Sequence, residues 1–155
     1  MMTPGLTVTL HGVAEVMASF PRGWWIIGSA ALALHGVDAG AIHDVDLLIE
    51  PHLADAVFDR FGIAPVAMPP DPLFRSLAFA RWTVSPVPVE VMAGFAVAVA
   101  GQWQQVEPRT RQRIEIADGA LFVPDRQELL DLLRLFGRPK DAPRIQALVA
   151  AGAGV

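Results

Sequence analysis

Cysteine is absent from the 155 residues, and lysine occurs once, at Lys140. Without a thiol the chain forms no disulfide, offers no thiolate nucleophile and holds no Cys-ligated zinc or iron–sulfur centre. Charge is scarce as well: 18% of residues are charged, and 12 Lys and Arg against 16 Asp and Glu give a net charge of -4. No global positive field exists to hold a long polyanion, so a nucleic-acid partner would have to be met locally. Long apolar runs are missing too. The two longest, around Gly23 to Leu34 and Gly94 to Gly101, fall short of the ~20 residues that cross a bilayer, and they read as buried core. No basic residue precedes Arg22, and Met1 to Thr9 mixes Thr, Pro and Gly, so the start does not read as a signal peptide and a cytoplasmic location is expected. What the chain does have is apolar material, 53% of its residues, which places it far from the disordered regime. One core and a single domain over 1–155 are expected.

The hydrophobic pattern divides this domain into alternating elements. Val13, Val16, Met17 and Phe20 recur at helical spacing, which predicts an opening helix over Thr9 to Phe20. Trp24 to Ile27 is a short bulky run suited to a buried strand, followed by a turn at Gly28-Ser29 and a helix over Ala30 to His35. A loop from Val37 to His43 leads to a second strand, Asp44 to Glu50, and then to a surface helix, Leu53 to Phe61. Pro65 to Pro72 is a proline-dense connection. Phe79 to Val84 and Val87 to Met92 read as strands joined at Ser85-Pro86, while Phe95 to Trp103 is ambiguous. Arg113 to Ile116 and Leu121 to Val123 bracket an Asp-Gly turn and predict a hairpin. Asp125 caps a Leu-rich helix that stops at Gly137, and a last helix runs from Asp141 or Pro143 to Ala150. The sum is an α/β or α+β domain with a mixed sheet.

Three acids carry the chemistry. Asp44 and Asp46 open a strand with one residue between them, so both carboxylates point the same way, about 7 Å apart. Adjacent carboxylates repel unless one is protonated or a cation neutralises them, and hard oxygen ligands suit Mg²⁺ or Mn²⁺. Gly28-Ser29 sits at a strand-to-helix turn, where backbone amides and a hydroxyl can meet phosphate oxygens. An isolated Asp-x-Asp is usually a solvated strand start and an isolated Gly-Ser an ordinary turn, so only their conjunction is informative. Glu90, inside an apolar strand, is a candidate third ligand or a general base for a hydroxyl.

The string Ile27-Gly28-Ser29-Ala30-Ala31-Leu32-Ala33-Leu34-His35-Gly36, followed by Asp44-Val45-Asp46-Leu47-Leu48-Ile49, resembles the first motif of nucleotidyltransferases of the DNA polymerase β superfamily. The likeness is greatest to the small bacterial group of AbiEii-type toxins and minimal nucleotidyltransferases. Gly137-Arg138-Pro139-Lys140-Asp141, after the Leu-rich helix, resembles that group's Arg-x-Lys-Asp element. The resemblance implies a nucleotidyltransferase-like mixed β-sheet flanked by helices, with Gly28 and Ser29 on the triphosphate and Asp44, Asp46 and Glu90 on Mg²⁺ or Mn²⁺. It further implies Arg138 and Lys140 at the phosphates, with Asp141 orienting Lys140 or forming a structural ion pair. The reaction it implies moves a nucleotidyl group from a nucleoside triphosphate to a hydroxyl of RNA, a protein or a small molecule, in a setting that can include an antitoxin-type protein partner.

The chain departs from that pattern in four places. The loop Val37 to His43 has neither of the Arg and Thr that the family carries there, Leu133 stands where a helical lysine is expected with Arg134 beside it, and Arg144 replaces an Asp. A catalytically inactive relative working as a binding module, for example in a toxin-antitoxin or defence system, is therefore the alternative. His11, His35, His43 and His52 lack metal-ligand spacing, and the four tryptophans are expected in core or interface positions. Arg109, Arg111 and Arg113 read as a solvated strand edge. The proline-dense connection and the Phe95 to Trp103 segment are expected to shape the acceptor cleft.

Overall fold

A computed structural model describes residues 2–154. Met1 and Val155, the ends of the expected domain, lie outside the described residues. The first helix, α1, runs Pro4–Met17 and begins earlier than the periodicity suggests: Thr3 caps it by accepting from the Leu6 N–H, and Pro4 takes the first turn. Its buried stripe includes Thr9, whose hydroxyl donates to the Gly5 carbonyl and accepts from the Val87 N–H. A polar residue thus sits inside the helical stripe because both capacities of its oxygen are used.

Four strands form the central sheet: β1 (Trp24–Ile27), β2 (Val45–Ile49), β4 (Ala78–Trp82) and β5 (Val89–Ala93), in spatial order β1-β2-β5-β4. The β2–β5 pair is parallel and the two flanking pairs are antiparallel, so the expected mixed sheet is present. Alternation along the strands gives the sheet two faces. Trp24, Ile26, Leu47, Ile49 and Val91 belong to the main core, against which α1, α2 (Gly28–Leu34), α3 (Ala54–Phe61), α4 (Arg126–Phe136) and α5 (Ala142–Ala150) contribute buried residues. Trp25, Ile27, Leu48, Phe79 and Met92 turn to the other face and form a smaller core with Phe95, Val97 and Phe136.

The ambiguous segment resolves into two strands, β6 (Ala96–Val99) and β7 (Gln102–Gln105), joined through Ala100 and Gly101 at φ 50° and 77°. Together with the short β3 (Phe74–Arg75) they make a three-stranded sheet beside the smaller core. The predicted hairpin is β8 (Gln112–Ile116) and β9 (Gly119–Val123); its left-handed residue is Asp118, at φ 64°. Asp125 accepts from the Glu128 N–H and Gly137 closes α4 at φ 63°, as the capping pattern requires. Among the described residues, no helix is long and apolar enough to cross a membrane.

Candidate active site

The sheet register assembles the site. Ile27 pairs with Asp46, Asp46 with Glu90, and Glu90 with Arg81, so one row across four strands carries two acids and a cation. Asp44 lies just before β2, and its carboxylate joins the other two: an oxygen from each of Asp44, Asp46 and Glu90 lies within 4.8 Å of the others. All three are half-buried. They sit at one end of the smaller-core face, in a cleft of about 180 Å³ shared with Gly28, Arg138 and Lys140 and walled by Phe74, Phe79, Phe95 and Phe136.

This crowding perturbs the acids. Burial, then the Asp44 and Glu90 charges, pushes the Asp46 carboxyl up to about 7, against a smaller opposing effect of Arg138 and Lys140. Burial also raises Glu90, aided by Asp44, with which it shares a hydrogen bond; Arg81, 3.5 Å away, opposes the rise. Three convergent oxygen donors under mutual repulsion fit a hard divalent cation, whose charge would relieve it. Gly28 is needed where it stands. Its φ is 70°, and a Cβ there would come within 2.8 Å of Asp46 Oδ2.

The other expected residues fall in different places. Ser29 is buried inside the first turn of α2 and, unlike Gly28, is not among the residues that line the cleft. Lys140 is exposed at the cleft. Asp141 is fully buried and faces no cleft: Arg138 grips it through Nε at 2.8 Å and Nη2 at 3.0 Å, and Arg144 Nη1 approaches to 3.5 Å. Of the two roles expected for Asp141, the ion pair is the one formed. Arg138 in turn is stacked on Phe74 and Phe136, 5.1 and 5.5 Å from the ring centres, which leaves its guanidinium fixed at the cleft wall.

Two further expectations change once the residues are placed. Leu133 is fully buried in the main core and Arg134 is exposed and absent from the cleft lining, so Arg134 does not substitute for the missing lysine. Arg111 is no solvated edge residue: it donates to the Trp24 and Pro21 carbonyls and lies 3.6 Å over the Phe122 ring. Sequence reasoning missed Met68 and Asp71 as cleft residues, although it placed them in the proline-dense connection expected near the acceptor. Asp71 held one signal, an acid two and three residues before the amides it caps, Leu73 and Phe74.

No protein-family model and no curated protein matches the sequence. Solved structures do. A Thermotoga maritima protein provisionally assigned as a nucleotidyltransferase superposes with a TM-score of 0.76 over 97% of this chain and 96% of its own, at 18% identity. The antibiotic-resistance factor ANT(2'')-Ia, solved with adenylyl-2''-tobramycin, matches with a TM-score of 0.58 over 94% of this chain and 88% of its own, at 12% identity. The lincosamide antibiotic adenylyltransferase LnuA, solved with lincomycin, does so at 0.58 over 91% and 94%, again at 12% identity. The fold is therefore that of nucleotidyltransferases.

Proposed function

We propose that the protein is a divalent-metal-dependent nucleotidyltransferase, moving a nucleoside monophosphate from a nucleoside triphosphate to a hydroxyl acceptor. The observation that carries this reading is the convergence of Asp44, Asp46 and Glu90 within 4.8 Å, in one cleft with Gly28, Arg138 and Lys140. Mg²⁺ or Mn²⁺ held by the three carboxylates would supply Lewis-acid stabilisation of the attacking and leaving oxygens. The rest falls to the chain. Lys140 and Arg138 offset the charge of the phosphates, and Gly28 lets the backbone approach them without a side chain in the way. Glu90 accepts the proton of the acceptor hydroxyl as its oxygen bonds to the α-phosphorus. The bond from that phosphorus to the bridging oxygen breaks, and pyrophosphate leaves. Asp141 acts at one remove, by fixing Arg138.

Support comes from the fold shared with ANT(2'')-Ia and LnuA, whose structures hold an adenylylated and an unmodified antibiotic, and from the motifs resembling those of AbiEii-type toxins. RNA, protein and small-molecule hydroxyls are the acceptor classes in play, and an antitoxin-type partner and a cytoplasmic setting belong to the same reading. Calorimetry with ATP, CTP, GTP and UTP in Mg²⁺ or Mn²⁺ tests it: binding that Asp44→Asn plus Asp46→Asn removes is expected. No response to any of the four would sink it. Triphosphate binding without label transfer to any acceptor would establish the inactive binding module instead.

A further inference from the structure

The acidic cleft, at about 180 Å³, is smaller than the roughly 300–1,000 Å³ of sites that enclose drug-sized ligands. A reaction joining two substrates there needs adjoining space for the acceptor. A second cavity, about 410 Å³, supplies it: Met68, Asp71, Phe74 and Phe79 line both. The connection follows the sheet. Phe79 pairs with Met92, one step along the same face from the Arg81–Glu90 pair, so the path from Glu90 leads past Phe79 beneath the proline-dense segment. The three other large cavities share at most Phe95 with the cleft.

The chemistry of this second cavity is mixed. Pro65, Pro69 and Pro70 form a stiff apolar side, and Val66 and Leu77 stand 51% and 72% exposed at it, apolar surface that an occupant would cover. Ser76 lines the cavity, and its Oγ is buried without a hydrogen-bond partner. Asp71 stands between the two cavities; both amides it accepts from, Leu73 and Phe74, bond to Oδ1, and its negative charge adds to that of the three acids beyond. The lining's cation, Arg75, stacks on Trp103 at 4.5 Å. A polyanion approaching Glu90 by this route meets carboxylates.

We infer that the cavity under Pro65–Phe79 is the acceptor subsite and takes a compact amphipathic small molecule, neutral or cationic, that carries the reacting hydroxyl. This assignment rests on the transferase reading for its meaning, and the experiment separates the two. Amide NMR spectra of the full chain are recorded with manganese–ATP, and separately with phenethyl alcohol, tyramine and phenyl phosphate. The first two small probes are expected to shift resonances between Val66 and Phe79 and phenyl phosphate to leave them in place; manganese–ATP acts instead around Asp44 and Asp46. Ser76→Leu, which fills the cavity, should abolish the probe shifts and spare the ATP response. Should that variant misfold, Leu77→Gln, at an exposed position, should weaken both probes about five- to ten-fold, the loss of one apolar contact. Equal binding of phenyl phosphate, shifts confined to other surfaces, or no shift would overturn the inference, even with ATP bound. Transfer of labelled nucleotide to RNA or protein, and none to the small-molecule filtrate of a bacterial lysate, would do the same. A missing ATP response would instead strike the transferase reading.

Discussion

Replacing Asp46 by asparagine should make the metal-free protein more stable while ending its metal binding. The folded chain holds the Asp46 proton up to about pH 7, whereas an unfolded chain releases it near 3.8. Between those values the folded state binds more protons, so stability falls as pH rises, by about 1.4 kcal/mol per unit for a fully independent group. That sets an upper bound of about 4 kcal/mol lost by pH 7. A pair of charges 4.8 Å apart in surroundings of effective dielectric about 20 repels by roughly 3 kcal/mol, which is the same scale. Because the three acids share the repulsion, about 2–3 kcal/mol is expected to return on neutralising one of them. The asparagine side chain keeps the shape of the aspartate and can donate to the remaining carboxylates. At pH 8 in a chelator the Asp46→Asn variant should melt roughly 5–10 °C above the parent, at about 2–4 °C per kcal/mol for a chain of this size. Near pH 4 the two should melt together. Mn²⁺ should raise the melting point of the parent at pH 8 and barely move that of the variant. Thermal scans from pH 4 to 8, with and without the ion, read all of this. A variant less stable than the parent at pH 8, or a gap independent of pH, would refute the idea that unrelieved acid repulsion is stored at this site.

Three further outcomes follow from the geometry. Gly28→Ala adds a Cβ 2.8 Å from Asp46 Oδ2 on a backbone at φ 70°, and should cost about 1–3 kcal/mol in urea unfolding and weaken Mn²⁺ binding in the same preparation. Asp141→Ala strips a fully buried carboxylate from Arg138 and Arg144 and should cost about 3–5 kcal/mol by denaturant titration. Lys140→Ala removes an exposed cation, so its stability should stay within about 0.5 kcal/mol of the parent, while triphosphate affinity measured by calorimetry drops and becomes less sensitive to salt.

Features set by neighbouring residues could be read in the sequence. Asp125 and Gly137 delimit α4 through its own orphan amides and carbonyls, and the Asp44-x-Asp46 spacing fixes two carboxylates on one side of a strand end. The start of α1 was equally local, marked by Thr3 and Pro4, yet the polar Thr9 broke the apolar rhythm there and hid it. The turn at Ala100-Gly101 gave little warning because alanine rarely takes a positive φ. Long-range pairings could not be read at all. The contacts of Arg111 with Trp24 and Pro21 join residues 87 and 90 positions apart, and nothing in Arg109-Thr110-Arg111 separates such an arginine from an exposed one. Glu90 was found through its strand, but its meeting with Asp46 depends on the parallel register of β2 and β5, which only the folded sheet defines.

The departures around the second motif change meaning once placed. Arg144 stands where the family carries an acid, and a second carboxylate three residues from a fully buried Asp141 would have doubled the charge to be neutralised there. With arginine the same position instead supplies a second partner, Nη1 at 3.5 Å, beside the bidentate grip of Arg138. Two cations on one buried anion leave net positive charge at the cleft wall, since Arg138 lines the cleft while holding Asp141 from the side. Leu133 works in the opposite direction. Its place in the main core means that a lysine there would have to be desolvated, so the charge lost at that position is gone from the site. The positive charge lining this cleft thus rests on Lys140, which is exposed, and Arg138, which is held by two rings and a carboxylate. On the proposed reading, the held guanidinium of Arg138 would orient a triphosphate and the exposed ammonium of Lys140 would meet it from solvent.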